Sequence, residues 1–201
     1  MEKIMKKSVM NVPNTLSLIR VALVPVFVVS LLLMRDIAIW GRVVPTIIYA
    51  LTAFTDMLDG KIARKYNLVT DFGKFIDPLA DKFMVIGSGI AILPVLIFEG
   101  DITFAMIFMA LTLLILFREL AVTSLRLVVA GNSGIVVAAS LFGKIKTVSQ
   151  MVGTVIILLE PVVFAFDTYH IIAYVCMAIQ AFTTIASGID YLKAYLPHIN
   201  K

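Results

Sequence analysis

Six long apolar runs, separated by short polar breaks, constrain this chain more than any other feature. They fall at about 15–34, 43–58, 79–98, 102–125, 135–159 and 169–190. A bilayer core about 30 Å thick is crossed by about 20 helical residues, and most of the runs approach that length. The second is short unless it continues through a charged stretch to about residue 65. None alternates polar and apolar residues as barrel strands do, and helices are the other structure that satisfies every backbone group in lipid. Composition agrees: 61% of the 201 residues are hydrophobic and only 15% are charged, against roughly one quarter charged in soluble domains. The expectation is an all-α integral membrane protein with six transmembrane helices, forming one domain over residues 1–201 with the bundle at 15–195.

The breaks contain Arg35, Asp36, Gly41 and Arg42, then 67–73, then Glu99 to Asp101, then Gly131 to Gly134, then Glu160 to Asp167 with Pro161. Ahead of the first run, Lys3, Lys6 and Lys7 lie among Ile4, Met5, Val9, Met10 and Val12. This pattern predicts a short amphipathic helix at 2–12 lying on anionic headgroups. Pro13 would end it, and Asn14 or Thr15 would cap the first span. The stretch from Leu16 to Met34 is too long for a signal-peptide core, so it reads as a retained anchor.

Tracing the chain from a cytoplasmic N-terminus puts the N-terminal lysines, Lys61, Arg64, Lys65, Lys74, Lys82, Arg118, Arg126, Lys144, Lys146, Lys193 and Lys201 on one side. The other side receives Arg35 and Arg42 with Asp36, Glu99, Asp101, Glu160 and Asp167. Basic loops stay inside, so both termini are expected in the cytoplasm. The single cysteine, Cys176, allows no internal disulfide, and His170 and His198 stand outside any motif. Thiol, zinc and histidine chemistry are therefore not expected, nor is a nucleic-acid partner.

The chemistry concentrates at 56–81, which reads DMLDGKIARKYNLVTDFGKFIDPLAD. Asp56 and Asp59 are three apart and Asp77 and Asp81 four apart, so each pair shares a helix face. Pro78 after Asp77 suggests a helix start with Asp77 as its N-cap. Carboxylates gathered at one place need positive charge between them to stay ionised. Hard cations such as Mg²⁺ or Mn²⁺ suit an all-oxygen donor set, and two such ions suit phosphoryl chemistry. Helix capping or solvation would explain one aspartate, but not four at this spacing at a membrane edge. Gly60 and Gly73 would let a bulky substrate approach the backbone, and Arg64, one turn beyond Gly60, is placed to reach a phosphate. Asp71 lies off the pattern and reads as solvated.

This segment resembles the signature of the CDP-alcohol phosphatidyltransferases, D-x2-D-G-x2-A-R-x8-G-x3-D-x3-D. Asp56, Asp59, Gly60, Ala63, Arg64, Gly73, Asp77 and Asp81 fill every fixed position. The resemblance implies a six-helix membrane bundle, often a homodimer, with its site near the cytoplasmic surface. It implies Asp56, Asp59, Asp77 and Asp81 as metal ligands, with Asp81 also the general base. Gly60, Arg64, Gly73 and Lys74 would line the site for CDP-diacylglycerol. Such enzymes join a CDP-linked lipid to an alcohol and release CMP. The logic is sound on its own: the alcohol attacks the lipid-side phosphorus, positive charge stabilises the leaving group, and a carboxylate takes the alcohol proton.

Later cations bear on the acceptor. Arg118 lies beside Glu119 deep in the fourth run, and Arg126 is eight residues on, predicted on a similar face. Lys144 and Lys146 open the fifth run near Thr147 and Gln150. Such a cluster suggests an acceptor that carries phosphate. With the run NVPNTLSLIR at 11–20, these stretches resemble the branch of the family that uses sn-glycerol 3-phosphate and makes phosphatidylglycerol phosphate. Ser17 stands where threonine is common there. The branch implies the cytoplasmic membrane of a bacterium as the location. Inositol phosphate, serine or phosphatidylglycerol as acceptor stays open, as does a divalent-cation transporter, which would place acids near mid-membrane and open a path to both sides.

Overall fold

The computed structural model describes residues 11–66, 70–133, 141–164 and 170–199. Among the described residues there are six helices and no strand: α1 (Val12–Leu33), α2 (Trp40–Lys65), α3 (Asp71–Phe98), α4 (Ile102–Ser133), α5 (Leu141–Val163) and α6 (Ile171–Ile199). Five of them, all but α2, are long and apolar enough to cross a membrane. The 26-residue α2 is long enough but ends in a charged stretch. It extends to Lys65, as the short second run required.

Several boundaries differ from the sequence expectation. Helix α1 starts at Val12, capped by Asn11, whose side chain accepts from the Asn14 N–H at 2.9 Å. Pro13 therefore opens the helix rather than ending an earlier one, because its missing N–H costs nothing in the first turn. The predicted 2–12 helix lies outside the described residues apart from its last two positions. Helix α3 starts at Asp71, so Asp77 and Pro78 lie inside it and Asp77 is not its N-cap. The cap is Thr70, whose hydroxyl accepts from the Gly73 N–H at 3.0 Å. An N-cap of this kind contributes about 1 kcal/mol and sets the start seven residues upstream of the expected one. Helix α4 runs through Gly131 to Ser133, and α5 includes Pro161. Glu160 is thus no loop carboxylate. It is 2% exposed and accepts from the N–H groups of Ile172 at 3.1 Å and Ala173 at 2.9 Å, capping α6.

The helices fall into two compact units, Met1–Ala91 and Ile92–Lys201, with the boundary inside α3. In the first, α1 packs on α2. The buried stripe of α1 repeats every three or four residues through Asn14, Ser17, Arg20, Val24, Phe27 and Leu31. Its lower half is polar and its upper half apolar, and Ile19, Val26 and Val29 point outward. Phe27 meets Tyr49 of α2 with ring centroids 5.4 Å apart. The buried stripe of α2 runs through Arg42, Thr46, Tyr49 and Thr52 and, one turn further, reaches Asp56. In the second unit α6 packs against both α4 and α5.

Candidate active site

The polar half of the α1 stripe reads the acidic segment residue by residue. Asn14 donates its side-chain amide to the Thr70 hydroxyl at 2.8 Å. Ser17 donates to Asp77 Oδ1 at 2.6 Å. Arg20 Nη1 lies 2.8 Å from Asp56 Oδ1 and 2.5 Å from Asp81 Oδ1. Three side chains on one face of α1, at a spacing of three, thus meet α2, the start of α3 and both of its signature aspartates.

Burial is graded across this cluster. The Arg20 side chain is 0% exposed, whereas Asp56 is 26% and Asp81 49% exposed. The guanidinium therefore forms the floor and the carboxylates the open rim. A buried guanidinium costs several kcal/mol unless it is paired and hydrogen-bonded, and two carboxylates from two helices supply the pairing. Conversely, Arg20 supplies positive charge between acids that would otherwise repel.

Gly73 is buried where α3 passes α1, and a Cβ there would come within 2.7 Å of Asn14 Oδ1. Its bareness thus serves helix packing as well as any approach of substrate. Lys74 and Asp71 form an exposed ion pair at 2.9 Å in the first turn of α3, so Asp71 is solvated as expected. Asp59, Gly60 and Arg64 lie on the last turns of α2, but the side chains of Asp59 and Arg64 fall outside the described set.

Sequence reasoning missed Arg20. Its signal was a lone arginine inside an apolar run, which in a membrane span marks function by default. The oxygen donors of Asp56, Asp77 and Asp81 have the chemistry of a Mg²⁺ or Mn²⁺ site, and their partial exposure leaves them approachable. Among the described residues, which leave out the Asp59 side chain, no three metal-ligating side chains close on one point.

The second unit holds the other predicted cations. Arg118 Nη1 lies 2.9 Å from Glu119 Oε1, and Lys146 Nζ bonds the same oxygen. The other Arg118 Nη reaches the Ser187 hydroxyl, and the guanidinium lies over the Tyr191 ring, 5.2 Å from its centroid. Lys146 is buried, whereas Arg126 and Lys144 are exposed. The expectation that Arg118 and Arg126 share a face therefore fails, because eight residues overshoot two helical turns by about 80°. The sequence also left open that Glu119 would join α4 to α5.

Comparison with known proteins gives the same direction. Residues 10–186 match the CDP-alcohol phosphatidyltransferase family. A Bacillus subtilis protein named CDP-diacylglycerol–glycerol-3-phosphate 3-phosphatidyltransferase is 37% identical over 195 residues, covering 91% of this chain and 94% of that one. A probable phosphatidylglycerophosphate synthase of Mycobacterium tuberculosis (strain H37Rv) is 38% identical over 189 residues, covering 94% and 83%. A Rickettsia bellii protein with the same name as the Bacillus one is 35% identical over 184 residues, covering 92% and 94%. An acidic segment that fills the whole signature, in a match spanning nearly the full chain, establishes that this protein belongs to the CDP-alcohol phosphatidyltransferase family.

Proposed function

We propose that this protein transfers the phosphatidyl group of CDP-diacylglycerol to sn-glycerol 3-phosphate, releasing CMP and forming phosphatidylglycerol phosphate. The observation that carries the reading is the joining of Asp56, Asp77 and Asp81 to one polar face of α1. The names of the bacterial relatives, similar over nearly their whole length, support the choice of acceptor.

In this reading Asp81, the most exposed of the three acids and paired with Arg20, takes the proton of the attacking hydroxyl. Arg20 and Ser17 aim the carboxylates. Asp56, Asp59, Asp77 and Asp81 would hold two Mg²⁺ or Mn²⁺ ions, which when bound supply charge neutralisation for the pyrophosphate and its leaving group. Gly60, Arg64, Gly73 and Lys74 would face CDP-diacylglycerol. Arg118 and Lys146 would hold the acceptor phosphate, with Lys144 and Arg126 raising the local positive potential from exposed positions.

The proposed setting is one domain in a bacterial cytoplasmic membrane, as a homodimer. Helix α2 would be a sixth span, its charged end emerging on the side of both termini. The distribution of lysine and arginine supports cytoplasmic termini and a cytoplasmic site. The test is CMP release by purified protein with Mg²⁺, offering glycerol 3-phosphate, inositol phosphate, serine and phosphatidylglycerol in parallel. Metal-dependent release with glycerol 3-phosphate alone is expected. Release with a different acceptor would overturn the branch, and release with none would overturn the transferase reading.

A further inference from the structure

Glu119 lies beside Arg118 within a largely apolar stretch of α4, and the reaction as proposed gives it no part. Its surroundings do. One of its oxygens, Oε1, receives Arg118 Nη1 at 2.9 Å and Lys146 Nζ of α5. On the far side of the same guanidinium, Ser187 and the Tyr191 ring fix it to α6. Three helices are thus tied together through two cations and one carboxylate. The Arg118 and Lys146 side chains are 11% and 5% exposed, and Glu119 is 16% exposed.

Two cations bonded to one oxygen repel each other strongly in so dry a setting. The shared carboxylate offsets that repulsion and holds Lys146 beside Arg118. With it, the pair keeps one spacing and one net positive charge, and Arg118 Nε remains a buried donor with no hydrogen bond among the described residues. A fixed pair of donors with surplus positive charge is the complement of a phosphate monoester.

We propose that Glu119 is a positioning residue for the acceptor phosphate: it sets the separation of Arg118 and Lys146 and so presents them as a preformed anion clamp. This rests on the acceptor-phosphate reading above. The alternative role is glue between α4 and α5 with no bearing on the acceptor, and the two separate in kinetics. A clamp acts on the KM of one substrate, whereas glue acts on folding or on both substrates alike.

The experiment measures KM for glycerol 3-phosphate and for CDP-diacylglycerol separately in the wild type, Glu119→Gln, Glu119→Asp, Arg118→Gln and Lys146→Gln, with thermal melting of each in detergent. Glu119→Gln is expected to raise the KM for glycerol 3-phosphate about tenfold or more and to leave that for CDP-diacylglycerol within about twofold. Glu119→Asp, which keeps the charge on a shorter arm, is expected to fall between it and the wild type. Should the glutamine variant not fold, the aspartate variant carries the test, with the same acceptor-selective rise expected. An unchanged or lowered acceptor KM, or an equal rise for both substrates, would overturn the role of Glu119 while leaving the acceptor site standing. Unchanged acceptor KM in both Arg118→Gln and Lys146→Gln would instead overturn the acceptor site, and Glu119 with it.

Discussion

The guanidinium of Arg20, wholly buried in α1, lies 2.5 Å from the carboxylate of Asp81, which is half exposed on α3. The proposed general base therefore stands on a fixed cation from a different helix, and the same nitrogen holds Asp56 of α2 at 2.8 Å. The acidic segment is shaped as much by the first helix as by its own spacing.

Removing that cation should be more damaging than an ordinary surface change. Arg20→Met leaves two neighbouring carboxylates without their shared partner, and breaking a buried pair costs about 3–5 kcal/mol. CMP release is expected to fall by at least about a hundredfold, with a lower melting temperature. Arg20→Lys keeps the charge but cannot reproduce the planar geometry, so it should recover only part of both. Activity assays alongside detergent-solubilised melting curves check this; near-normal turnover in Arg20→Met would remove Arg20 from the site.

The Ser17 hydroxyl lies 2.6 Å from Asp77 Oδ1 and, more weakly, 3.1 Å from the Pro13 carbonyl of its own helix. A bond to a charged acceptor is worth about 1.5–3 kcal/mol, so Ser17→Ala should lower kcat roughly 10- to 100-fold. Ser17→Thr, which keeps the hydroxyl, should stay close to the wild type. Steady-state CMP release with saturating substrates distinguishes the two.

Gly73 and Asn14 form a steric pair. Gly73→Ala places a Cβ about 2.7 Å from Asn14 Oδ1 and should lower both melting temperature and activity. In Asn14→Ala the offending oxygen is gone, so adding Gly73→Ala to it should cost little more. A double-mutant cycle on the melting temperature measures the coupling; strictly additive losses would contradict the packing account.

The two halves of the site differ in how much the sequence disclosed. Asp56, Asp59, Asp77 and Asp81 were legible because helical spacing and a full signature are local properties of 26 residues. Arg20 was not, because its meaning depends on α1 lying against residues 36 and 61 positions away. The start of α3 was misplaced because Asp77-Pro78 looks locally like a capped helix start. Thr70 wins earlier, since its hydroxyl caps Gly73 and also accepts from Asn14. Apolar runs located the six helices but understated the lengths of α2, α3, α4 and α6, because helices such as α2 and α4 continue into charged or glycine-containing sequence where hydropathy falls. Glu119 was seen only as a neighbour of Arg118; its bond to Lys146 spans 27 residues and two helices.

Glu160 offers a prediction remote from the chemistry. Its carboxylate caps the first turn of α6 from within α5. Glu160→Ala strands two N–H groups in a buried setting, at about 1–3 kcal/mol. The melting temperature should drop by several degrees, while turnover per folded molecule stays near the wild type. A selective loss of turnover at unchanged stability would contradict a purely structural role.

In the proposed phosphatidyl transfer Asp81 takes the acceptor's proton. The most direct measurement is CMP release from CDP-diacylglycerol and glycerol 3-phosphate by Asp81→Asn, paired with equilibrium binding of CDP-diacylglycerol to the same preparation. Binding is expected within a few-fold of the wild type and turnover lower by about a thousandfold or more, the scale expected for loss of a general base. Turnover near the wild-type rate with intact binding would contradict it.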